Sequence, residues 1–127
     1  MIINIKNLHV ETIIGISDHE RQRKQALCIN LLIHYDGTTA AQRDNIASAV
    51  DYKKLSDDVT QFVETTHFKL LETLSQQIAK RIMTDERIEY TEVEVKKLNV
   101  YAMKNIDSVS ITHSISRNQK YKNYLPK

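Results

Sequence analysis

Residues 27–35 read LCINLLIHY, and this stretch decides the fold. Leucine or isoleucine occupies every odd position from 27 to 33, whereas Cys28, Asn30 and His34 stand at even positions. An alternation of period two places the odd residues on one face of an extended chain and the even residues on the other. The stretch therefore predicts a β-strand that packs one apolar face against a core.

A second alternating segment precedes this strand, over residues 3–12. Its apolar residues change phase near Asn7, where we expect a β-bulge. Gly15 and the polar segment 18–24 then form a turn that can join neighbouring antiparallel strands. The two strands are therefore predicted to pair.

Apolar residues recur at helical spacing in the middle of the chain. The first predicted helix carries Leu55, Val59, Phe62 and Val63 on its apolar face. A second helix is predicted from about His67 to about Met83, and period two returns over residues 90–95 and 109–115. This order predicts an α+β domain, ββααββ, in which two helices cover one face of a four-stranded antiparallel sheet. Its unpaired sheet edges favour self-association.

The chain of 127 residues has the size and composition of one folded domain. Hydrophobic residues make up 41% and charged residues 27%, which argues against both a disordered chain and a membrane protein. No run approaches the ~20 apolar residues of a spanning helix, and the first residues lack a secretory signal pattern. The single cysteine, Cys28, cannot form an internal disulfide. We therefore expect a cytoplasmic protein with no membrane partner.

Positive charge is concentrated at the C-terminal end of the sequence. The last eleven residues contain four of the 18 basic side chains and no acidic one. We expect a single domain over residues 1–117, followed by a basic, solvated tail over residues 118–127. The rest of the chain is close to neutral and offers no basic stripe, so a nucleic-acid partner is not expected.

Patterns typical of metal or phosphate sites are missing from the sequence. His19 and Glu20 are not followed by a second histidine one helical turn later, as a zinc protease requires. The other histidines fall on different predicted segments, at His9, His34, His67 and His113. No glycine-rich loop is present to cradle a phosphate group. Neither a metal nor a cofactor is therefore expected.

Four polar side chains near the ends of predicted elements remain as candidates for chemistry. They are Glu20, Tyr52, Glu72 and Lys97. Each has an ordinary structural explanation: a carboxylate such as Glu72 in the first turn of a helix is stabilised by the helix dipole. Tyr52 can be a core aromatic residue with a solvated hydroxyl, and Lys97 a solvated strand end. Taken singly, none of them requires a catalytic role.

The segments around these side chains share their order and spacing with a known family. They are Thr12-x-Ile14-Gly15-x4-Glu20-Arg21-x3-Gln25, Val50-Asp51-Tyr52, Phe68-x-Leu70-Leu71-Glu72-Thr73-Leu74 and Glu94-Val95-Lys96-Lys97-Leu98. As a set they resemble the dihydroneopterin aldolase and dihydroneopterin triphosphate epimerase family. The resemblance implies the tunnelling fold, in which four ββααββ subunits form a barrel-like ring and two rings stack into an octamer. Leu98 stands where the aldolases usually have proline, which favours the epimerase branch.

The resemblance also implies a substrate and a reaction. The substrate is a 7,8-dihydropterin with a trihydroxypropyl side chain, either free or triphosphorylated. Its ring imine takes up the electrons of a retro-aldol step, so neither a Schiff base nor a metal is needed. We expect epimerisation at C2′ of 7,8-dihydroneopterin triphosphate to the dihydromonapterin form. The alternative is a folate-pathway aldolase that releases 6-hydroxymethyl-7,8-dihydropterin and glycolaldehyde.

Residue roles follow from the same resemblance. Lys97 is expected to transfer protons with Glu20 as its partner, because a partly buried ammonium loses hydration. Tyr52 is expected to protonate the enamine carbon when cleavage occurs. Family pockets lie between subunits, so Tyr52 is expected to come from a neighbour. The residues expected to bind the pterin ring are Leu71, Glu72 and Thr73.

Two points stay open at this stage. Lys96 is a second candidate for the family lysine, and the lysines that could meet a triphosphate are Lys53, Lys54, Lys96 and Lys104. A ring that binds a pterin or purine without turnover would need Glu72 but not the acid-base groups Lys97 and Tyr52. The joint presence of these groups favours an enzyme.

Overall fold

Four antiparallel strands form one sheet, as predicted, and they lie in the sheet in their order along the chain. The computed structural model describes residues 1–100 and 103–117, so the tail predicted at 118–127 lies outside the described residues. The strands are β1 (Ile2–Thr12), β2 (Gln25–Tyr35), β3 (Ile88–Lys97) and β4 (Val109–Ser116). The helices are α1 (Asp18–Arg21), α2 (Thr38–Arg43), α3 (Tyr52–Thr65) and α4 (Leu71–Ile82), with a 3-10 turn at Ile46–Ser48. None of these described helices is long and apolar enough to cross a membrane.

The two faces of the sheet differ in polarity. α3 and α4 pack on the face that carries the odd-numbered residues of β2. The side chains buried there include Leu27, Ile29, Leu31, Ile33, Val93 and Val95. Burial of each such side chain stabilises the fold by about 1.5–3 kcal/mol. The opposite face carries polar side chains, among them Asn30, which donates a hydrogen bond to the Glu94 carboxylate at 2.8 Å. The prediction of two helices on one face is confirmed.

α4 begins later than the apolar pattern predicts. The expected start was near His67, but the helix begins at Leu71, and Leu70 before it has extended backbone with φ −118° and ψ 142°. The carbonyl oxygens of His67 and Phe68 accept hydrogen bonds from the guanidinium of Arg21. Because these carbonyls bind another element, the segment remains a loop although Phe68 fits the helical spacing.

The short helices have no periodic signal in the sequence. α2 has only six residues, too few to display a 3.6-residue pattern. α1 depends instead on a capping box, in which Ser17 Oγ accepts from the Glu20 backbone N–H at 3.1 Å. The Glu20 carboxylate accepts in turn from the Ser17 backbone N–H at 3.5 Å. A serine followed three residues later by glutamate is the local signal for this device.

The predicted irregularity at Asn7 is confirmed. The register of β1 against β2 shifts between Ile5 and Leu8, and Asn7 has a φ of 59°. Its backbone N–H donates to Asn30 Oδ1 at 2.8 Å, and its own Oδ1 accepts from the thiol of Cys28 at 3.4 Å. The bulge therefore exchanges a ladder hydrogen bond for contacts on the polar face.

A substitution at Asn7 tests the strain in this bulge. We expect Asn7→Val to lower the free energy of unfolding by about 1–2 kcal/mol relative to Asn7→Gly, because a β-branched residue resists positive φ. Both variants lose the contact with Cys28, so their difference isolates the backbone effect. Denaturant unfolding of the two variants measures it, and equal stabilities would contradict the prediction.

Candidate active site

A buried ion pair marks one end of the sheet. Lys97 Nζ lies 2.8 Å from Glu20 Oε2, and the two side chains are only 14% and 11% exposed. Lys97 is the last residue of β3 and pairs with Leu27, so its side chain lies on the same face as the helices. Glu20 reaches it from α1. The sequence separates the two residues widely, and the fold brings them into contact.

The loop between β1 and β2 is shaped around the Glu20 carboxylate. Gly15 has a φ of 125°, and a Cβ atom at this position would collide with the carboxyl group of Glu20. Ser17 Oγ donates to Glu20 Oε1 at 3.2 Å, and the Gln25 side-chain amide lies 3.4 Å from Oε2 while also donating to the Ile14 carbonyl. Glycine is therefore required at Gly15 both for its backbone conformation and for space.

The charge of Glu20 is set by these neighbours. Burial by itself raises the pKa of Glu20, but the hydrogen bond and charge of Lys97 act in the opposite direction. The Ser17 backbone N–H and the Gln25 amide lower the pKa further. The net result is a pKa lowered from 4.5 to about 2, so the carboxylate is ionised at neutral pH.

An open cleft of about 520 Å³ lies beside this pair. Glu20 and Gln25 form part of its wall, and Leu98 and Asn99 follow directly after Lys97 on the other side. Small-molecule sites commonly have volumes of about 300–1,000 Å³, so the cleft is large enough for a substrate. Glu20 is thus both a member of a buried ion pair and part of the cleft wall, an arrangement that is typical of functional sites.

Arg21 connects the two loops at this end of the molecule. Its guanidinium donates to the carbonyl oxygens of His67 at 2.9 Å, Phe68 at 3.1 Å and Gly15 at 3.4 Å. The same side chain therefore joins the loop that carries Glu20 to the segment that leads into α4. A planar group with several N–H donors suits this role.

The first turn of α4 contains the residues expected to bind a pterin ring. Leu71 is buried, Thr73 is half-buried and Glu72 is exposed. Leu70 supplies no side-chain cap to the helix. The backbone N–H groups of the first turn have no acceptor within the helix. Glu72 thus presents a carboxylate next to unused backbone donors, at the end of the fold that holds Arg21.

Tyr52 lies far from the ion pair within one chain. It is the first residue of α3, a helix of 14 residues, which is about 21 Å long. The far end of α3 is the end near the site, since Thr12 Oγ1 donates to the carbonyl of Thr66 there. The Tyr52 side chain is 63% exposed. A single chain therefore does not bring Tyr52 to Lys97.

The two candidate lysines are separated by the sheet. Lys96 pairs with Cys28 and lies on the polar face, whereas Lys97 lies on the helix face with Glu20. The geometry thus favours Lys97 over Lys96 as the site lysine. Over residues 1–100 and 103–117, no three His, Cys, Asp or Glu side chains are grouped so that they could hold a metal ion.

The matches to known proteins agree with this arrangement. Residues 3–114 match the family model described as FolB, dihydroneopterin aldolase. The chain belongs to the dihydroneopterin aldolase family. It is 38% identical over 116 residues to the dihydroneopterin triphosphate 2′-epimerase of Escherichia coli (strain K12), covering 91% of this chain and 95% of that relative.

The dihydroneopterin aldolase of E. coli is more distant in sequence. The chain is 26% identical over 96 residues to the dihydroneopterin aldolase of Escherichia coli (strain K12), covering 76% of this chain and 79% of that enzyme. It superposes with a TM-score of 0.85 on the crystal structure of E. coli dihydroneopterin aldolase in complex with neopterin, at 23% identity. That superposition covers 91% of this chain and 99% of the crystal structure, and it confirms the predicted fold.

The sequence alone indicates no role for several residues that surround Glu20 or the start of α4. Gly15, Arg21 and Gln25 belong to the motif quoted above, but only the structure reveals their contacts with Glu20 or with the α4 loop. His19 and Arg23, which also line the cleft, were not considered as binding residues. The spacing Ser17-x-x-Glu20 is a local signal for the capping box and could have located Glu20 at a helix start.

The lowered pKa of Glu20 predicts a specific pH dependence of stability. A carboxylate with a depressed pKa in the folded state stabilises the protein above its ordinary pKa and loses this effect as the pH falls through the folded-state value. We therefore expect wild type to be more stable than Glu20→Gln above pH 4.5, with the difference disappearing towards pH 2. Denaturant unfolding between pH 2 and pH 7 measures it.

Glu64→Gln is the matched control for this experiment. Glu64 is exposed on α3, and its substitution removes the same charge away from the ion pair. A difference between wild type and Glu20→Gln that stays constant with pH, or that matches the difference for Glu64→Gln, would contradict the prediction.

Proposed function

We propose that this chain epimerises C2′ of 7,8-dihydroneopterin triphosphate by a retro-aldol and aldol sequence. The observation that carries the proposal is the buried pair of Lys97 and Glu20, whose carboxylate residue lines a cleft of substrate size. The higher identity to the E. coli triphosphate epimerase, 38% against 26% for the E. coli aldolase, supports epimerisation as the main activity. Leu98 after the lysine supports the same branch.

The substrate supplies the electron sink of the reaction. When the bond between C1′ and C2′ breaks, its electron pair moves into the ring imine and forms an enamine. The C2′ hydroxyl loses its proton and becomes the aldehyde carbonyl. If the aldehyde rotates before C1′ attacks it again, it presents its other face to C1′. The new bond then forms on that opposite face of the carbonyl. The product is then the C2′ epimer, with no net gain or loss of atoms.

Lys97 is the proposed proton carrier. The Lys97 ammonium, paired with the ionised Glu20 at 2.8 Å, first releases a proton to water in the cleft. The neutral amine then takes the proton of the C2′ hydroxyl, and the ammonium that forms is again stabilised by Glu20. The same ammonium returns the proton to the oxygen at C2′ after the carbon bond re-forms. Glu20 thus holds the lysine in position through both steps, and its own position is fixed by Ser17 and Gln25.

The pterin ring is proposed to bind at the start of α4. The Glu72 carboxylate accepts hydrogen bonds from the 2-amino group and a ring N–H, a two-point contact of fixed geometry. Backbone N–H groups of Leu71 and Thr73 are available to ring acceptors. Arg21 ties this turn to the loop of Glu20, so the ring and the reacting side chain are held in one frame.

Tyr52 is proposed to enter the site from a neighbouring subunit of an octamer made of two stacked rings. Two features support assembly: β1 and β4 lie at the edges of the sheet that the described residues form, and Ile16 and Leu70 near the site are 71% and 48% exposed. Backbone groups on free edges favour pairing with another chain. A neighbour that pairs along these edges can carry its own exposed Tyr52 to Lys97.

Aldolase activity is the second candidate, favoured by the shared intermediate. Protonation of C1′ by Tyr52 would stop re-addition and release glycolaldehyde with 6-hydroxymethyl-7,8-dihydropterin. The E. coli aldolase at 26% identity supports this outcome as a side activity. Because only cleavage needs C1′ to be protonated, loss of the Tyr52 hydroxyl should slow cleavage more than epimerisation.

The test of the proposed function is product analysis with Lys97 variants. We expect wild type to convert dihydroneopterin triphosphate to its C2′ epimer faster than it cleaves free dihydroneopterin. Lys97→Ala is expected to lower turnover by about 100-fold or more, because it removes the proton carrier. Each substrate is incubated separately, and chromatographic separation of the products measures the rates of epimerisation and of cleavage.

Lys96→Ala is the matched control, since it removes the adjacent lysine from the other face of the sheet. We expect it to change turnover much less than Lys97→Ala. Equal losses in both variants would contradict the role of Lys97. Efficient glycolaldehyde release with no advantage for the triphosphate would instead make the aldolase reaction the main activity.

A mixing experiment tests whether Tyr52 and Lys97 come from different subunits. Lys97→Ala and Tyr52→Phe are each expected to cleave dihydroneopterin poorly. When the two variants are unfolded, mixed and reassembled, about a quarter of the sites should combine an intact Lys97 with an intact Tyr52 from a neighbour. Glycolaldehyde release by the mixed oligomer should then rise well above that of either variant alone.

The control is each variant taken through the same unfolding and reassembly by itself. If Lys97 and Tyr52 acted within one chain, no mixed site would hold both, and release would stay at the level of the separate variants. A monomeric mass in light scattering would also contradict the shared site.

A further inference from the structure

A cationic side chain and a histidine lie together on the wall of the cleft. His19 and Arg23 both line the cleft beside Glu20, and Arg23 Nη1 lies 3.4 Å from His19 Nε2. They stand four residues apart, so α1 and its C-terminal turn bring them to one side. Within the described residues Arg23 forms no ion pair with a carboxylate. Its guanidinium therefore keeps donors for a ligand.

The proposed chemistry fixes where a phosphate chain must begin. The carbon that changes configuration is C2′, which must lie at Lys97 and Glu20, and the triphosphate is attached at C3′, one carbon further along. The phosphate chain therefore starts within the cleft, next to Glu20. The Glu20 charge is neutralised by Lys97 at 2.8 Å, which reduces its repulsion of the first phosphate. Among the residues that line the cleft, Arg23 is the cation, and His19 lies beside it.

The four lysines expected from the sequence fit this task less well, because none of them lines the cleft. Lys96 lies on the polar face of the sheet, away from the cleft. Lys53 is bound to Asp57 at 2.8 Å on α3, and it belongs to the distant end of its own chain. Asp107, which also lines the cleft, would repel phosphate on the opposite side. The wall formed by α1 is thus the favourable path for an anion.

We propose that Arg23, assisted by His19, forms a polyphosphate subsite that gives this chain its preference for a triphosphorylated pterin. The inference rests on the proposed function, since the reacting carbon sets the position of the phosphate chain. The guanidinium offers paired N–H donors of the geometry that phosphate oxygens accept. His19 Nε2, 3.4 Å from Arg23 Nη1, helps to hold the guanidinium at the cleft wall.

Binding of inorganic tripolyphosphate tests the subsite without any turnover. We expect calorimetry to detect binding to wild type and to give a dissociation constant about tenfold larger for Arg23→Gln, because charge-assisted contacts are lost. Lys24→Gln is the matched control: Lys24 is the next residue, is exposed and does not line the cleft. It removes the same charge from the same loop. No binding to wild type, or equal effects of the two substitutions, would overturn the proposal.

A kinetic comparison separates failure of the subsite from failure of the proposed function. We expect Arg23→Gln to lower the ratio of kcat/KM for dihydroneopterin triphosphate to that for free dihydroneopterin by about tenfold, and Lys24→Gln to leave this ratio within about twofold. If wild type converts both pterins and Arg23→Gln keeps the wild-type ratio, the subsite is overturned while the function stands. If wild type converts neither pterin, the function fails, and tripolyphosphate binding still decides the subsite.

Discussion

The contact between Lys97 and Glu20 is the constraint on which the rest of this end of the molecule depends. Two charges removed from water are costly unless each has a partner of good geometry, and removal of one partner leaves the other uncompensated. Gly15 makes room for the carboxylate, Ser17 caps the helix that carries it, and Gln25 supports its second oxygen. The conformation of the loop between β1 and β2 therefore depends on its contacts with the Glu20 carboxylate. The cleft lies where this loop meets the end of β3.

Much of the fold could be predicted because its strongest signals are local. The alternation of period two predicts the strands, and its change of phase predicts the bulge at Asn7. Both predictions follow from which face of the strand each side chain occupies. The start of α4 could not be predicted, because it depends on Arg21 binding the carbonyls of His67 and Phe68 across the molecule. The apolar spacing predicts that Phe68 lies in the helix, because spacing contains no information on a hydrogen bond to a distant guanidinium.

The candidate site was accessible from the sequence only through its resemblance to a family. No local pattern indicates that Glu20 meets Lys97, because the contact is made between α1 and the end of β3. The same limit applies to Arg23, whose neighbour His19 is visible in the sequence but whose place on the cleft wall is not. Tyr52 shows the opposite case: the resemblance named it, and the length of α3 places it far from Lys97 within one chain.

The register of β3 also bears on how the chain can change over evolutionary time. Leu27 faces Lys97 and Cys28 faces Lys96, so a single insertion or deletion within β3 would exchange the two lysines between the faces of the sheet. Changes of length are then tolerated in the connection after Lys97, where no such alternation is at stake. Changes in that connection can alter the shape of the cleft and the molecules that it binds. The length of β3, which positions the Lys97 amine, stays fixed.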